Sequence, residues 1–209
     1  NWPGIKHVNG SQLAYDIYEQ AMALGTSYLY EKVAALEVEG TERRVRCESG
    51  AEFTAPAVII ATGTVERLLN IPGEQEMIGR GISFCAVCDA AFYRNKPVII
   101  VGAGNAAFEE SLYLAEFASK VTILARRDVI SAEQITQDKV AANPKIEVLT
   151  WRVPQEVIIE NNRVAGLKVL NKQTGATETM LAKGVFPYIG ADPVTEFCRD
   201  LGITNDKGY

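Results

Sequence analysis

Short unbroken apolar runs alternate with segments of helical spacing along this chain, and that alternation predicts its elements. Residues 98–101 are a continuous apolar stretch, the pattern of a strand covered on both faces, and 121–124 and 146–149 read as the strands that follow. Between the first two, Phe108, Leu112 and Ala115 recur at helical spacing and predict a helix over 106–118. Ser131 reads as the N-cap of a second helix over 132–142. Three further strands are expected at 156–159, 163–170 and 177–181, turning at Asn161-Asn162 and over 172–175, before 185–189 returns to the core. The whole reads as a βαβ unit with a parallel sheet and a crossover of antiparallel strands.

Ahead of this unit the pattern is looser. Ser11 is read as the N-cap of a helix to about Ala23, with Leu13, Ile17 and Ala21 on one face and Gly25 at its end. β-like runs follow at 28–30 and 33–38, then a hairpin over 44–54 turning at Ser49-Gly50, and an apolar strand at 58–61 that stops at Thr62-Gly63. From there to Gly81 the sequence looks like a connector.

Composition adds exclusions. With 47% hydrophobic and 22% charged residues, the 209-residue chain has a globular balance, and its apolar runs fall far short of a membrane span. Its 21 basic against 26 acidic residues argue against a nucleic-acid surface. A single histidine, His7, leaves little for histidine chemistry, and no metal site is expected.

Gly102-Ala103-Gly104-Asn105-Ala106-Ala107 fits the dinucleotide fingerprint between a strand and a helix. The first glycine makes the tight turn, the second lets the backbone approach a pyrophosphate, and the small Ala107 packs the helix on the strand. The next strand ends in Arg126 and Arg127 with no carboxylate at its tip, which favours a 2′-phosphate and hence NADPH over NADH. A solvated basic pair is the other reading of those arginines.

Cys85-Ala86-Val87-Cys88-Asp89 can close a small reversible disulfide, with Asp89 placed to move the proton as a thiolate forms. The alternatives are a zinc half-site completed by Cys47 and Cys198, or two buried structural cysteines. Cys47 and Cys198 themselves read as packing residues. A nicotinamide and a disulfide need a two-electron relay between them, usually a flavin, yet no second glycine fingerprint is present.

Together these segments resemble the low-molecular-weight thioredoxin reductases. The resemblance runs from Trp2-Pro3-Gly4 through Ala61-Thr62-Gly63, Gly79-Arg80-Gly81, the cysteine segment, Phe92-Tyr93-Arg94-Asn95-Lys96, the glycine turn with Glu109-Glu110, to Gly190-Ala191-Asp192-Pro193. It implies two Rossmann-like nucleotide domains of α/β class: part of an FAD domain over 1–66, an inserted NAD(P)H domain with the redox cysteines over 67–190, and a return to the FAD domain over 191–209. It implies electron flow from NADPH through FAD to Cys85–Cys88 and on to thioredoxin or a related small redox protein. Cys88 would lie against the flavin, Cys85 would attack the partner disulfide, and Asp89 would manage the proton. NAD(P)H is expected on Gly102, Gly104, Asn105, Ala106, Arg126, Arg127 and Gly190, and FAD near Val33, Ala61, Thr62 and Gly63. A cytoplasmic homodimer is the family's habit.

Two departures stand out. The family's HRRxxxR element appears as Ala125-Arg126-Arg127-Asp128-Val129-Ile130-Ser131, losing one charge-assisted phosphate contact, which opens NADH or ferredoxin as donor. The FAD glycine loop and a C-terminal flavin motif are expected to lie outside these 209 residues. A truncated, non-catalytic nucleotide-binding module is therefore the rival reading of another class.

Overall fold

The structure, a computed structural model, describes residues 4, 5 and 8–209, so Trp2, Pro3 and His7 lie outside the described residues. The chain divides into two compact units.

The smaller unit holds the described residues up to Ala61 together with Thr195–Lys207 and Tyr209. Helix α1 (Gly10–Ala23) begins two residues earlier than expected: Asn9, not Ser11, is its cap, its side-chain oxygen accepting Gln12 N–H at 3.1 Å. Strands β1 (Val33–Glu39), β2 (Glu42–Cys47) and β3 (Glu52–Ala55) form an antiparallel meander. Leu36 and Cys47 are buried here, as is Cys198 of the 3-10 helix Glu196–Leu201. Two expected strands do not form. Residues 28–30 and 58–61 make no ladder among the described residues, with Tyr30 95% and Ile59 93% exposed. Apolar composition alone does not make a strand, because its N–H and C=O groups must be paired across to a neighbour.

The larger unit holds Thr62–Val194 and Gly208. After β4 (Thr64–Glu66), the expected connector contains a helical turn, α2 (Glu74–Met77). Glu74 is 2% exposed, and its carboxylate accepts the Leu69 and Asn70 amides at 2.8 and 2.7 Å, so a buried charge is satisfied by the backbone it folds. A second turn, α3 (Ala86–Asp89), runs into the 3-10 helix Ala90–Tyr93.

The centre is a four-stranded parallel sheet, β11-β5-β6-β7, built from β5 (Pro97–Val101), β6 (Lys120–Leu124), β7 (Ile146–Leu149) and β11 (Gly184–Pro187). Its apolar runs are explained by the two faces of β5. Val98 and Ile100 pack with Phe108, Leu114 and Val140 of α4 (Asn105–Phe117) and α5 (Gln134–Ala141). Ile99 and Val101 pack with Val157, Leu167 and Val169 of the antiparallel sheet β8 (Arg152–Glu160), β9 (Arg163–Asn171) and β10 (Thr177–Leu181). A short β12 (Ala191–Pro193) pairs antiparallel with β4. This is the expected α/β class with its β-meander crossover.

Ser131 does not cap α5. That helix starts at Gln134 after Glu133, and Ser131 instead donates both its amide and its hydroxyl to the Ala103 carbonyl, at 2.8 and 3.2 Å. The Ala103 carbonyl of the glycine turn takes the serine's hydroxyl in place of a capping role.

Candidate functional site

The carboxyl end of the parallel sheet opens into a cleft of about 650 Å³, the place where open α/β sheets take nucleotides. Gly102, Gly104, Arg126, Arg127 and Gly190 all line it, so five of the residues singled out for NAD(P)H converge. Gly102 has φ +154°, and a Cβ there would stand 2.3 Å from the Tyr188 carbonyl oxygen and 3.1 Å from the Ala107 Cβ. Only glycine fits. Gly104 differs: a Cβ there would meet nothing nearer than Ser131 Oγ at 3.7 Å, so its bareness leaves space on the cleft side. No side chain caps α4, which leaves the first amides of a 13-residue helix for an anion. Asn105 does not point its carbonyl at the cleft, since Oδ1 accepts the Glu133 amide at 2.7 Å, and Ala106 is exposed beside it.

Four guanidiniums surround this cleft, and their partners sort them. Arg67 is paired with Asp192 at 2.6 Å and holds that carboxyl below the usual carboxylate range. Arg152 is paired with Glu178 at 3.2 Å and donates to the Thr150 carbonyl. Arg126 and Arg127 are exposed and make no ion pair among the described residues. They are the two cations available to a ligand phosphate.

Cys85 and Cys88 form a disulfide with Cα atoms 5.3 Å apart, ruling out the zinc half-site in this state. The turn is knit by its own amides. Cys85 N–H donates to Ser83 Oγ at 3.2 Å, Cys88 N–H to Cys85 Sγ at 3.2 Å, and Asp89 N–H to Cys85 O at 3.2 Å. One bond comes from far along the chain, Ala86 N–H to Tyr188 Oη at 3.0 Å. Cys88 is exposed and Asp89 half-buried. Asp89 lines a second cleft of about 500 Å³ with Arg80, Phe92, Lys96, Arg163 and Lys183. Cys47 and Cys198 are buried free thiols.

The residues assigned to FAD divide between the two units. Val33 and Ala61 belong to the smaller unit, Thr62 and Gly63 to the larger, and none of them lines either cleft. Thr62 Oγ1 donates to Val194 O at 2.5 Å and Gly63 O accepts Val194 N–H at 3.0 Å, so these two fix the strand pair β4–β12.

Sequence reasoning missed Tyr188 and Glu110. Tyr188 follows β11, which reaches the glycine turn only because it pairs in parallel with β5. Burial pushes its phenol far up, with the Glu110 carboxylate adding to the effect. Glu110 Oε2 is itself buried without a hydrogen-bond partner among the described residues, and burial raises that carboxyl too. Scanning the carboxyl ends of the predicted parallel strands would have found Tyr188, one step before Ile189-Gly190.

Comparison with known proteins agrees with this arrangement. Residues 8–209 match the model of the pyridine nucleotide-disulphide oxidoreductase family. The whole chain is 39% identical to the thioredoxin reductase of Bacillus subtilis and 38% identical to that of Listeria monocytogenes, spanning 66% and 65% of their lengths. Among solved structures, thioredoxin reductase of Lactococcus lactis superposes with a TM-score of 0.89 at 38% identity, covering all of this chain and 69% of that one. That of T. acidophilum gives 0.86 at 26% identity, over all of this chain and 68% of that one. No described helix is long and apolar enough to cross a membrane.

Proposed function

Because the chain belongs to the pyridine nucleotide-disulphide oxidoreductase family, we propose that it is the nucleotide-binding and disulfide-bearing part of a thioredoxin-disulfide reductase. The observation that carries this reading is the placement of the Cys85–Cys88 disulfide and the glycine-turn cleft in one compact unit, linked by the Ala86–Tyr188 bond. Residues 1–66 and 191–209 are read as belonging to an FAD domain and 67–190 as the NAD(P)H domain.

The pyrophosphate of the donor would sit on the amides that open α4, beside Gly102 and Gly104, with Arg126 and Arg127 on the 2′-phosphate and Gly190 giving backbone access. A bound flavin supplies two-electron acceptance from a nicotinamide and release to a disulfide. Val33, Ala61, Thr62 and Gly63, the residues expected near it, line neither described cleft. The disulfide takes up two electrons and two protons to give the Cys85 and Cys88 thiols. Asp89 then accepts the Cys85 proton, and the Cys85 thiolate attacks one sulfur of a partner disulfide, expelling the other as a thiolate. Cys88 next attacks the Cys85 sulfur of the mixed disulfide, restores the internal bond and releases the partner as a dithiol. Exposure of Cys88 and half-exposure of Cys85 allow such an exchange. Thioredoxin or a related small redox protein is the expected partner, in a cytoplasmic homodimer.

One observation favours a second donor. Ser131 occupies the place of the family's last arginine and spends its hydroxyl on Ala103 O. NADH or reduced ferredoxin therefore stands as the alternative to NADPH. Anaerobic flavin reduction by NADPH, NADH and ferredoxin separates these, with thioredoxin turnover as the second readout. Failure of all three donors, with no thioredoxin reduced, would leave the non-catalytic nucleotide module as the correct reading.

A further inference from the structure

Tyr188 touches both halves of the site. Its amide donates to Val101 O at 2.8 Å, and its carbonyl oxygen fills the space where a Gly102 side chain would go, so its main chain helps shape the nucleotide cleft. Its hydroxyl oxygen lies against the redox turn and accepts Ala86 N–H at 3.0 Å across 102 residues of sequence. The Cys85, Cys88 and Asp89 amides are satisfied within residues 83–89, so Tyr188 is the one side chain from outside that segment with a hydrogen bond to the turn among the described bonds. Because burial raises the phenol, the oxygen at Ala86 is a neutral hydroxyl.

We propose that Tyr188 is a positioning residue of the Cys85–Cys88 couple: by engaging the Ala86 amide from outside it pins the turn in the arrangement seen with the disulfide closed and holds the couple more reducing than the turn alone would be. The physical basis is an asymmetry between the two redox states. A disulfide sulfur is a weak acceptor and gains little from an additional N–H, whereas a thiolate gains a charge-assisted bond. A turn released from Tyr188 is free to adjust its amides, the Cys88 N–H on Cys85 Sγ among them, to the thiolate, and so stabilises the reduced state selectively. A more reducing couple is what a donor of electrons to another disulfide requires. The proposal rests on the redox reading of the cysteine pair.

Tyr188→Phe removes the oxygen and keeps the ring. Wild type and variant are equilibrated anaerobically with mixtures of dithiothreitol and its cyclic disulfide, which supply and accept the two electrons and two protons. They are then acid-quenched, and the protein thiols are counted by mass-tag alkylation. The variant is expected to be reduced more easily, its midpoint moved about threefold, or about 14 mV at roughly 30 mV per tenfold. Its Cys85 alkylation should persist to lower pH. An unchanged midpoint, or a move towards harder reduction, overturns the proposal. Amide exchange in the oxidised wild type gives a test that needs no variant: Ala86 must be protected, and exchange at the rate of an open turn overturns it as well. A pair that no dithiothreitol ratio reduces would sink the redox reading itself, whereas a normal couple indifferent to Tyr188→Phe sinks only the positioning role.

Discussion

The larger unit contains two turns that each lead into a helix, and they are held in opposite ways. The glycine turn at 102–104 is fixed by volume: Gly102 has no room for a Cβ, Ala107 is fully buried, and the strand before it is covered on both faces. The redox turn at 85–89 is fixed by hydrogen bonds, with Val87 64% exposed and only Ala86 fully buried. Close packing admits one arrangement and resists change. A turn held by a few polar contacts can reorganise when its disulfide opens, which suits a pair that has to react. Under the proposed function, the difference assigns nucleotide binding to shape and disulfide exchange to donors and acceptors.

The sharpest break of that comparison is chemical. Cys88→Ser should lower thioredoxin turnover about a thousandfold or more, because no internal thiol remains to resolve the mixed disulfide. Flavin reduction by the nicotinamide should survive, as stopped-flow absorbance would record. The packing half breaks next. Gly102→Ala forces a Cβ into the Tyr188 carbonyl and should cost about 2–4 kcal/mol of stability with loss of nucleotide binding, read by denaturant melts and calorimetry.

Arg126→Ala with Arg127→Ala removes the two guanidiniums that have no ion-pair partner in the cleft, and should raise the KM for NADPH about ten- to a hundredfold while moving that for NADH less than about twofold. Equal effects on both donors would mean that the pair is only a solvated face.

The smallest effect concerns Glu110, whose carboxyl is raised first by burial and then by Glu109. A carboxyl raised by folding favours the native state while protonated, and that contribution is lost as pH rises through its folded pKa. At neutral pH the charged Glu110 therefore weakens the fold. Glu110→Gln should gain about 0.5 kcal/mol at pH 7, after allowing for solvent screening, and the gain should vanish below the ordinary carboxylate range. A gain that persists unchanged at pH 3 would point to packing instead.

What was legible in the sequence follows the same division. The central strand of the parallel sheet could be read because burial on both faces writes itself as the unbroken apolar run 98–101, and the glycine turn because its constraints fall on adjacent residues. Arg126 and Arg127 were legible because they sit at a strand tip. Features set by competition or by distant partners were not. Asn9 and Ser11 are both good caps two residues apart, and only the chain's path selects Asn9. Ser131 fits a cap signature yet finds a better acceptor at Ala103, 28 positions away. Residues 58–61 have strand composition but no described ladder partner. The short helix carrying Cys88 is too brief for periodicity, and its tie to Tyr188 spans 102 positions, beyond any local pattern.

The central claim is that an electron pair entering at the nucleotide cleft leaves through Cys85–Cys88. Its most direct test is to mix the flavin-loaded protein anaerobically with excess NADPH, quench with an alkylating mass tag, and map the tagged peptides. The account predicts two new thiols per chain, at Cys85 and Cys88, with Cys47 and Cys198 unchanged in count. A flavin that bleaches while Cys85 and Cys88 stay bridged would contradict it.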